Sequence, residues 1–307
     1  MEPIVVVGSL NMDFVVEVDE LPNPGQTVPG WGFQTVPGGK GANQACAAGK
    51  LGGRVSMAGR VGGDVFGETL RRSLAEAGVD AARVLVTEKE PTGVALIFVQ
   101  KGGQNMIVVA PGANARLTPK DVETLGDSFQ PGGFLLLQLE TPIATVEAAA
   151  ALGKARGMRT ILDPAPARKL PRTLLDAVDI LTPNETEAAI LLGRPPGSVS
   201  LATAAEAASA LRHRADSVVI VKLGENGAWL ADRRRSEHFP GREVDALDAT
   251  AAGDTFNGAL AVALAEGRPI EDAVRFANAA AALSTTKLGA QASIPTRAEA
   301  DAFAAKG

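Results

Sequence analysis

The feature that most restricts the fold of this chain is a regular alternation of short aliphatic strands and amphipathic helices. The run Ile4–Val7 is entirely aliphatic and is followed by Gly-Ser, which predicts a strand buried on both faces. Similar runs recur at Phe134–Leu139, Thr160–Leu162, Ile180–Leu181 and Val218–Val221. Helical patterns occupy 42–51, 64–77, 142–156, 184–192, 200–214, 254–266 and 270–285. The alternation predicts an α/β fold, a three-layer sandwich with helices on both faces of a mostly parallel central sheet.

Two segments interrupt this alternation. Residues 14–36 and 92–110 are extended and hairpin-rich in pattern, and the second contains a turn-like connection at Gln100–Gln104. Strands inserted into an α/β core predict a second, small β-sheet. We therefore expect residues 1–307 to form a single α/β domain whose inserted sheet acts as a lid over a ligand site.

Composition excludes several classes of protein. The net charge of −5 argues against a nucleic-acid partner. A single cysteine, Cys46, excludes an intramolecular disulfide and a multi-cysteine zinc site, and two histidines leave little basis for a His-ligated metal or a Ser/His triad. No apolar run approaches membrane-spanning length, so we expect a cytoplasmic protein with no membrane partner.

A candidate catalytic centre lies where the helix at 254–266 begins. Helix N-termini carry unpaired N–H groups and a partial positive charge, and the small residues Ala251, Ala252 and Gly253 would let an anion approach them. Asp254 would then lie beside the anion and accept a proton, as phosphoryl transfer to an alcohol requires. A simple helix cap explains the same residues equally well from local sequence alone.

The Gly-rich segment 37–44 has two interpretations. It is not a Walker A motif, because Gly41 follows Lys40 where Ser or Thr is needed, and it lacks the last glycine of a dinucleotide fingerprint. Either it only begins a helix, or its backbone and Asn43 approach a polar ligand. Proximity of this segment to Asn11 and Asp13 would decide between these two interpretations. Asn11 and Asp13 follow the first strand, where open α/β sheets bind ligands, and they could bind vicinal hydroxyls. An Asx turn explains the same pair equally well.

Two further segments have ambiguous signals. Asn184 and Glu187 have the spacing of a capping box, and the same spacing suits hydrated Mg²⁺ near a phosphate. Both roles are compatible. Residues 222–227 end a buried strand with a glycine-punctuated turn, which by itself is only a turn.

Together these residues resemble the PfkB carbohydrate-kinase family, and within it the ribokinase group. The resemblance covers nearly the whole chain, in blocks at 8–13, 38–44, 138–140, 163–167, 182–187, 251–258 and 289–295. It implies a ribokinase-like fold and ATP-dependent phosphorylation of D-ribose at O5, giving D-ribose 5-phosphate. It also implies Mg²⁺ and K⁺ as cofactors and a homodimer formed through the lid.

The resemblance also implies roles for individual residues. Asp254 would be the catalytic base, and the backbone of Ala251, Ala252, Gly253 and Asp254 would form the anion hole. The implied sugar pocket comprises Asn11, Asp13, Gly39, Lys40, Gly41, Ala42, Asn43, Glu140 and Asp254. The implied nucleotide contacts, with Glu187 helping to place Mg²⁺, are Asn184, Glu187, Lys222, Leu223, Gly224, Glu225, Asn226, Gly227, Gly253, Asp254 and Asn278. The implied monovalent-cation site, partly of backbone carbonyls, comprises Asp248, Thr250, Ser284, Lys287, Gly289 and Ser293.

Two positions depart from the ribokinase pattern. Lys222 replaces a threonine at the start of the nucleotide turn, and Asn278 stands where histidine can occur. The main alternative is another kinase of this family, acting on fructose, deoxyribose or a nucleoside. A sugar-binding protein without catalysis is disfavoured by the intact Gly253-Asp254 pair, and a nicotinamide-dependent dehydrogenase by the missing glycine fingerprint.

Overall fold

The computed structural model describes residues 1–101 and 105–306 and contains two β-sheets. The strands are β1 (Ile4–Val7), β2 (Asn11–Val18), β3 (Gly30–Gly38), β4 (Val55–Gly62), β5 (Asp80–Thr87), β6 (Gly93–Gln100), β7 (Asn105–Ala110), β8 (Phe134–Leu137), β9 (Arg159–Leu162), β10 (Ile180–Leu181), β11 (Val218–Lys222), β12 (Ala228–Ala231) and β13 (Ser236–Phe239). The helices are α1 (Lys40–Lys50), α2 (Val65–Glu76), α3 (Pro119–Glu123), α4 (Ile143–Ala155), α5 (Arg172–Leu175), α6 (Glu185–Leu191), α7 (Ala204–Ala210), α8 (Ala252–Ala265), α9 (Ile270–Ser284), α10 (Ala290–Ser293) and α11 (Arg297–Ala304).

The larger sheet has nine strands in the order β13-β12-β11-β10-β9-β8-β1-β4-β5. All neighbouring pairs from β11 to β5 are parallel, and only the pairs β11–β12 and β12–β13 are antiparallel. Strand β1 has β4 as its neighbour on one side and β8, which comes later in the chain, as its neighbour on the other. The carboxyl ends of β1 and β8 therefore form a topological switch point, where open α/β sheets bind ligands.

Alternate residues of the central strands enter two hydrophobic cores, one on each face of this sheet. Ile4 and Val6 of β1 belong to the core that contains residues of α1, α8 and α9. Val5 and Val7 belong to the core that contains residues of α4, α6 and α7. The sheet is thus buried on both faces between two helical layers, which confirms the predicted three-layer architecture.

The smaller sheet has four strands in the order β3-β2-β6-β7. It confirms the inserted sheet, although β2 begins at Asn11, three residues before the predicted segment. Asn11 and Asp13 thus belong to a strand of the smaller sheet. The predicted turn Gln100–Gln104 includes residues 102–104, which lie outside the described residues. In the described part of the chain, no helix has both the length and the apolarity needed to cross a bilayer.

Candidate active site

Three segments that are distant in sequence meet at the switch point. The Ser9 hydroxyl after β1 donates to Glu140 Oε2 after β8 at 2.6 Å, and the Lys40 backbone N–H donates to the same oxygen at 3.1 Å. Gly41 N–H donates to Ser9 Oγ at 3.3 Å, and Ala42 N–H to the Ser9 carbonyl at 2.9 Å. The start of α1 is therefore fixed against the carboxyl ends of β1 and β8.

The Gly-rich segment also lies against Asn11 and Asp13. This proximity distinguishes the two interpretations of the segment that the sequence left open. A Cβ atom on Gly38 would lie 2.1 Å from Asp13 Oδ2, and one on Gly39 would lie 2.6 Å from the Asn11 backbone nitrogen. Gly39 has φ 88° and is the N-cap of α1, so glycine is needed here for conformation as well as space. The segment both begins a helix and approaches the polar pair.

Asp254 lies in the first turn of α8, and its carboxylate is tied to α1. Oδ2 accepts a hydrogen bond from Asn43 Nδ2 at 3.0 Å, and Oδ1 accepts one from Gln44 Nε2 at 3.0 Å. Ala251, the N-cap of α8, has φ 58° and is the one non-glycine residue at positive φ among those described. Backbone strain of this kind is concentrated at functional sites. The start of α8 and the first turn of α1 therefore meet at one carboxylate.

Burial perturbs the charged groups of this site. It raises the pKa of Asp254 to about 6, with Lys40 opposing and Asp163 adding to the shift. Burial and the charges of Glu140 and Asp254 raise the pKa of Asp13 to about 7. Burial lowers the pKa of Lys40, but the surrounding carboxylates, led by Asp254, more than reverse that effect. Lys40 therefore stays protonated among several carboxylates.

Asn184 and Glu187 form a complete capping box at the start of α6. Glu187 N–H donates to Asn184 Oδ1, and Asn184 N–H donates to Glu187 Oε2, both at 2.8 Å. Burial raises the pKa of Glu187, whereas nearby Lys222 lowers it. Asn184 also forms an isolated parallel bridge with Lys222 at the end of β11. The two predicted nucleotide segments are therefore neighbours.

The turn after β11 is closed by its backbone. Leu223 N–H donates to the Gly227 carbonyl, residues Gly224–Asn226 form a short 3₁₀ helix, and Glu225 lies within it. Asn278, on α9, donates through its side-chain amide to the carbonyls of Phe239 and Pro240. Its side-chain amide thus binds the backbone at the end of β13.

The predicted monovalent-cation residues join two loops. Asp248 accepts hydrogen bonds from Thr250 N–H in its own loop and from Gly289 N–H in the other. Burial raises the pKa of Asp248, but the hydrogen bonds from the Thr250 side chain and from the Gly289 and Thr250 backbone outweigh that effect and lower it overall. The Ser284 and Ser293 hydroxyls donate to carbonyls three residues earlier, and the Lys287 side chain pairs with Glu299.

Three residues that connect the site, Gln44, Gln138 and Asp163, were assigned no role from the sequence. Gln44 Nε2 donates to Asp254 Oδ1 and also to Asp163 Oδ2, the latter at 2.9 Å. Gln138 Nε2 donates to Gln44 Oε1 at 2.7 Å, and Lys222 Nζ pairs with Asp163 Oδ1 at 2.9 Å. Gln44, Gln138 and Asp163 all lie within the blocks that carry the family resemblance, and this is the sequence signal that could have identified them. Their pairing depends on the tertiary fold.

The acidic groups suit a magnesium ion that is mostly coordinated by its substrate. In residues 1–101 and 105–306, no three His, Cys, Asp or Glu side chains converge on one possible metal position. Mg²⁺ usually keeps several waters and takes one or two carboxylates plus nucleotide phosphates. Asp163, which shares the Gln44 amide with Asp254, and Glu187, which lies near Lys222 and Asp163, are carboxylates of the required kind and fit that pattern.

Comparisons with known proteins give the same family. The family model described as pfkB family carbohydrate kinase matches residues 1–297. The ribokinase of Haemophilus influenzae is 42% identical over 296 residues, 96% of each chain. The deoxyribokinase of Salmonella typhimurium is 36% identical over 95% of each chain. The structure of Arabidopsis thaliana ribokinase with ribose and ATP aligns over 99% of this chain and 98% of that one, with TM-score 0.88 and 36% identity. The chain therefore belongs to the pfkB family of carbohydrate kinases.

Proposed function

We propose that the protein transfers the γ-phosphoryl group of ATP to O5 of D-ribose, giving D-ribose 5-phosphate and ADP. The observation that carries this proposal is the position of Asp254. Its buried carboxylate lies at the N-terminus of α8 and is held by Asn43 and Gln44 from the segment that also contacts Asn11 and Asp13. A base, an anion-binding helix start and a polar pocket therefore adjoin one another.

Asp254 acts as the general base. A sugar hydroxyl is a weak acid, so the carboxylate orients it and takes its proton as the bond to phosphorus forms. The two hydrogen bonds to Asp254 fix its direction, and a pKa of about 6 leaves it ionised at neutral pH. The N–H groups at the start of α8 stabilise the charge on the transferred phosphoryl group.

The sugar is bound by the polar groups at the switch point. Asn11, Asp13, Asn43 and Glu140 are short or acidic side chains suited to paired hydroxyls, including one at the anomeric carbon. Asn114 donates to Asn11 Oδ1 at 2.8 Å, which fixes the orientation of that amide. A wrong sugar that leaves one such buried group unpaired loses roughly 5- to 150-fold per contact.

The nucleotide lies along the carboxyl ends of β10 and β11, against Asn184, Lys222 and the turn that follows. Glu187 would help to place Mg²⁺ there, and the bound ion would supply neutralisation of the phosphate charge. K⁺ is expected at the two loops joined by Asp248, where it would hold the anion-hole loop in register with the loop around Gly289.

The smaller sheet closes over the sugar and joins two copies of the chain. Closure excludes water, which would otherwise compete for the phosphoryl group. The sheet also leaves large apolar side chains exposed: Trp31, Phe33, Leu96, Met106, Ile107, Val108 and Val109. The lid of a second copy would cover an apolar surface of this kind.

The proposed function is tested by measuring ADP release with ATP, Mg²⁺ and K⁺ on ribose, 2-deoxyribose, fructose and adenosine. We expect the highest kcat/KM with ribose. Asp13→Ala should raise the KM for ribose strongly and reduce discrimination against 2-deoxyribose. A higher kcat/KM for another acceptor would make the ribose assignment wrong while leaving the kinase assignment intact.

A further inference from the structure

The ammonium group of Lys222 lies beside the first turn of α8. Lys222 is the last residue of β11, and its backbone N–H donates to the Pro183 carbonyl at the carboxyl edge of the sheet. Its side chain reaches toward α8, where a Cβ atom built on Gly253 would lie only 3.3 Å from Nζ. The ammonium group therefore adjoins the small residues at which the proposed function places the transferred phosphoryl group.

A buried ion pair holds Lys222 in this position. Nζ lies 2.9 Å from Asp163 Oδ1, and the two side chains are 12% and 3% exposed. The other oxygen of Asp163 accepts a hydrogen bond from Gln44, which also donates to Asp254. One hydrogen-bond network thus fixes the ammonium group relative to the proposed base.

The ammonium group has capacity for a further acceptor. A lysine has three N–H donors, and among the residues described, the Lys222 side chain makes one hydrogen bond, to Asp163. A buried ion pair adds little net stability on its own, so stability does not account for placing this pair beside an anion-binding site. A charge fixed in advance beside a developing negative charge is, by contrast, an effective catalytic device.

The local charge balance points the same way. Asp163, Asp254 and Glu187 are carboxylates that would repel the phosphates of an incoming nucleotide. Lys40 lies among the same carboxylates, which raise its pKa. A second lysine at the phosphate side offsets this repulsion, which the threonine expected at position 222 could not do.

We propose that Lys222 contacts the terminal phosphates of the nucleotide directly, as a fixed positive charge that acts even without Mg²⁺. This role rests on the proposed function, which places the phosphoryl group at the start of α8. The alternative is that Lys222 only neutralises Asp163. The two roles differ in the expected effect of Lys222→Met in an Asp163→Asn background, where Lys222 has no carboxylate left to neutralise.

The test is calorimetric binding of AMP-PNP and of AMP in EDTA, for wild type, Lys222→Met, Asp163→Asn and the double variant Lys222→Met with Asp163→Asn. Lys222→Met should weaken AMP-PNP binding roughly tenfold or more, the effect of a lost charge-assisted hydrogen bond, and change AMP binding less than about twofold. Asp163→Asn should bind AMP-PNP at least as tightly as wild type. Lys154→Met, at the C-terminal end of α4, removes a charge at the opposite edge of the sheet and serves as the control.

The double variant should bind AMP-PNP roughly tenfold more weakly than Asp163→Asn. Unchanged AMP-PNP affinity in Lys222→Met would overturn the proposal, as would a double variant that binds AMP-PNP as tightly as Asp163→Asn. Thermal melting checks that each variant is folded, and Lys222→Gln replaces Lys222→Met if the latter does not fold. Ribose-dependent ADP release by the wild type is measured in parallel. If the wild type is active and Lys222→Met binds AMP-PNP as tightly as the wild type, only the role of Lys222 is refuted. If the wild type is inactive on ribose but Lys222→Met still weakens AMP-PNP binding, only the proposed function is refuted.

Discussion

Replacing Asp13 by asparagine should stabilise the protein at neutral and alkaline pH, although it should impair sugar binding. Asp13 is 7% exposed. Burial, followed by the charges of Glu140 and Asp254, raises its pKa from 3.8 to about 7, against an opposing effect of Lys40. Between these two values the folded protein keeps a proton that the unfolded chain has released. The free energy of unfolding therefore falls as the pH rises through this window.

The size of the effect follows from the pKa. A rise from 3.8 to about 7 corresponds to an upper limit of about 4 kcal/mol, at 1.36 kcal/mol per pKa unit. Relaxation and water penetration reduce such penalties, so we expect about 1–3 kcal/mol. Asparagine has nearly the same shape and no charge at any pH, so Asp13→Asn removes the penalty. The gain should be small near pH 4 and complete above pH 7.

The assay is urea unfolding at pH 5 and pH 8 for wild type and Asp13→Asn. The difference in unfolding free energy should grow in favour of the variant between these pH values, with a melting temperature about 2–5 °C higher at pH 8. Asp19→Asn, which removes an exposed carboxylate just after β2, is the matched control and should leave the pH profile unchanged. A variant that is less stable than wild type by the same amount at both pH values would refute the reasoning.

Three further outcomes are expected. The kcat/KM for ribose should rise with pH to a plateau with a midpoint near pH 6, because Asp254 accepts a proton only as the carboxylate; a flat profile from pH 5 to 8 would contradict this. Activity should be higher in K⁺ than in a large organic cation at equal ionic strength, and Asp248→Ala should reduce the K⁺ response more than ribose binding; equal rates in both salts would exclude the K⁺ role. Light scattering at micromolar concentration should give a dimer that Phe33→Ser with Ile107→Ser dissociates, whereas a fully active wild-type monomer would exclude an obligatory dimer.

The sequence predicted the inner strands well because burial on both faces leaves an uninterrupted aliphatic run. The predicted bounds of β1 and β10 match the structure. No strand was predicted at β4, which contains glycines; a Cβ atom on Gly59 would lie 2.4 Å from the Leu10 side chain. Edge strand β5 is half exposed and lacks a hydrophobic run. The helix predicted at 200–214 is shorter, at Ala204–Ala210.

The site could be predicted in its parts but not in its connections. Local motifs were enough to select Asp254, Asn43 and the Gly-rich segment. The bond from Gln44 to Asp254 spans 210 residues, and the pair of Lys222 with Asp163 spans 59. Such pairings depend on strand order and helix placement, which leave no local pattern in one sequence.

The central claim is that Asp254 is the base at an anion-binding helix start. It is tested most directly by measuring ribose-dependent ADP release and calorimetric ribose binding in wild type and Asp254→Asn. We predict a fall in turnover of about 10²-fold or more, the usual scale for a lost general base, with the fold and ribose binding retained. Near wild-type turnover in the folded variant would exclude Asp254 as the base.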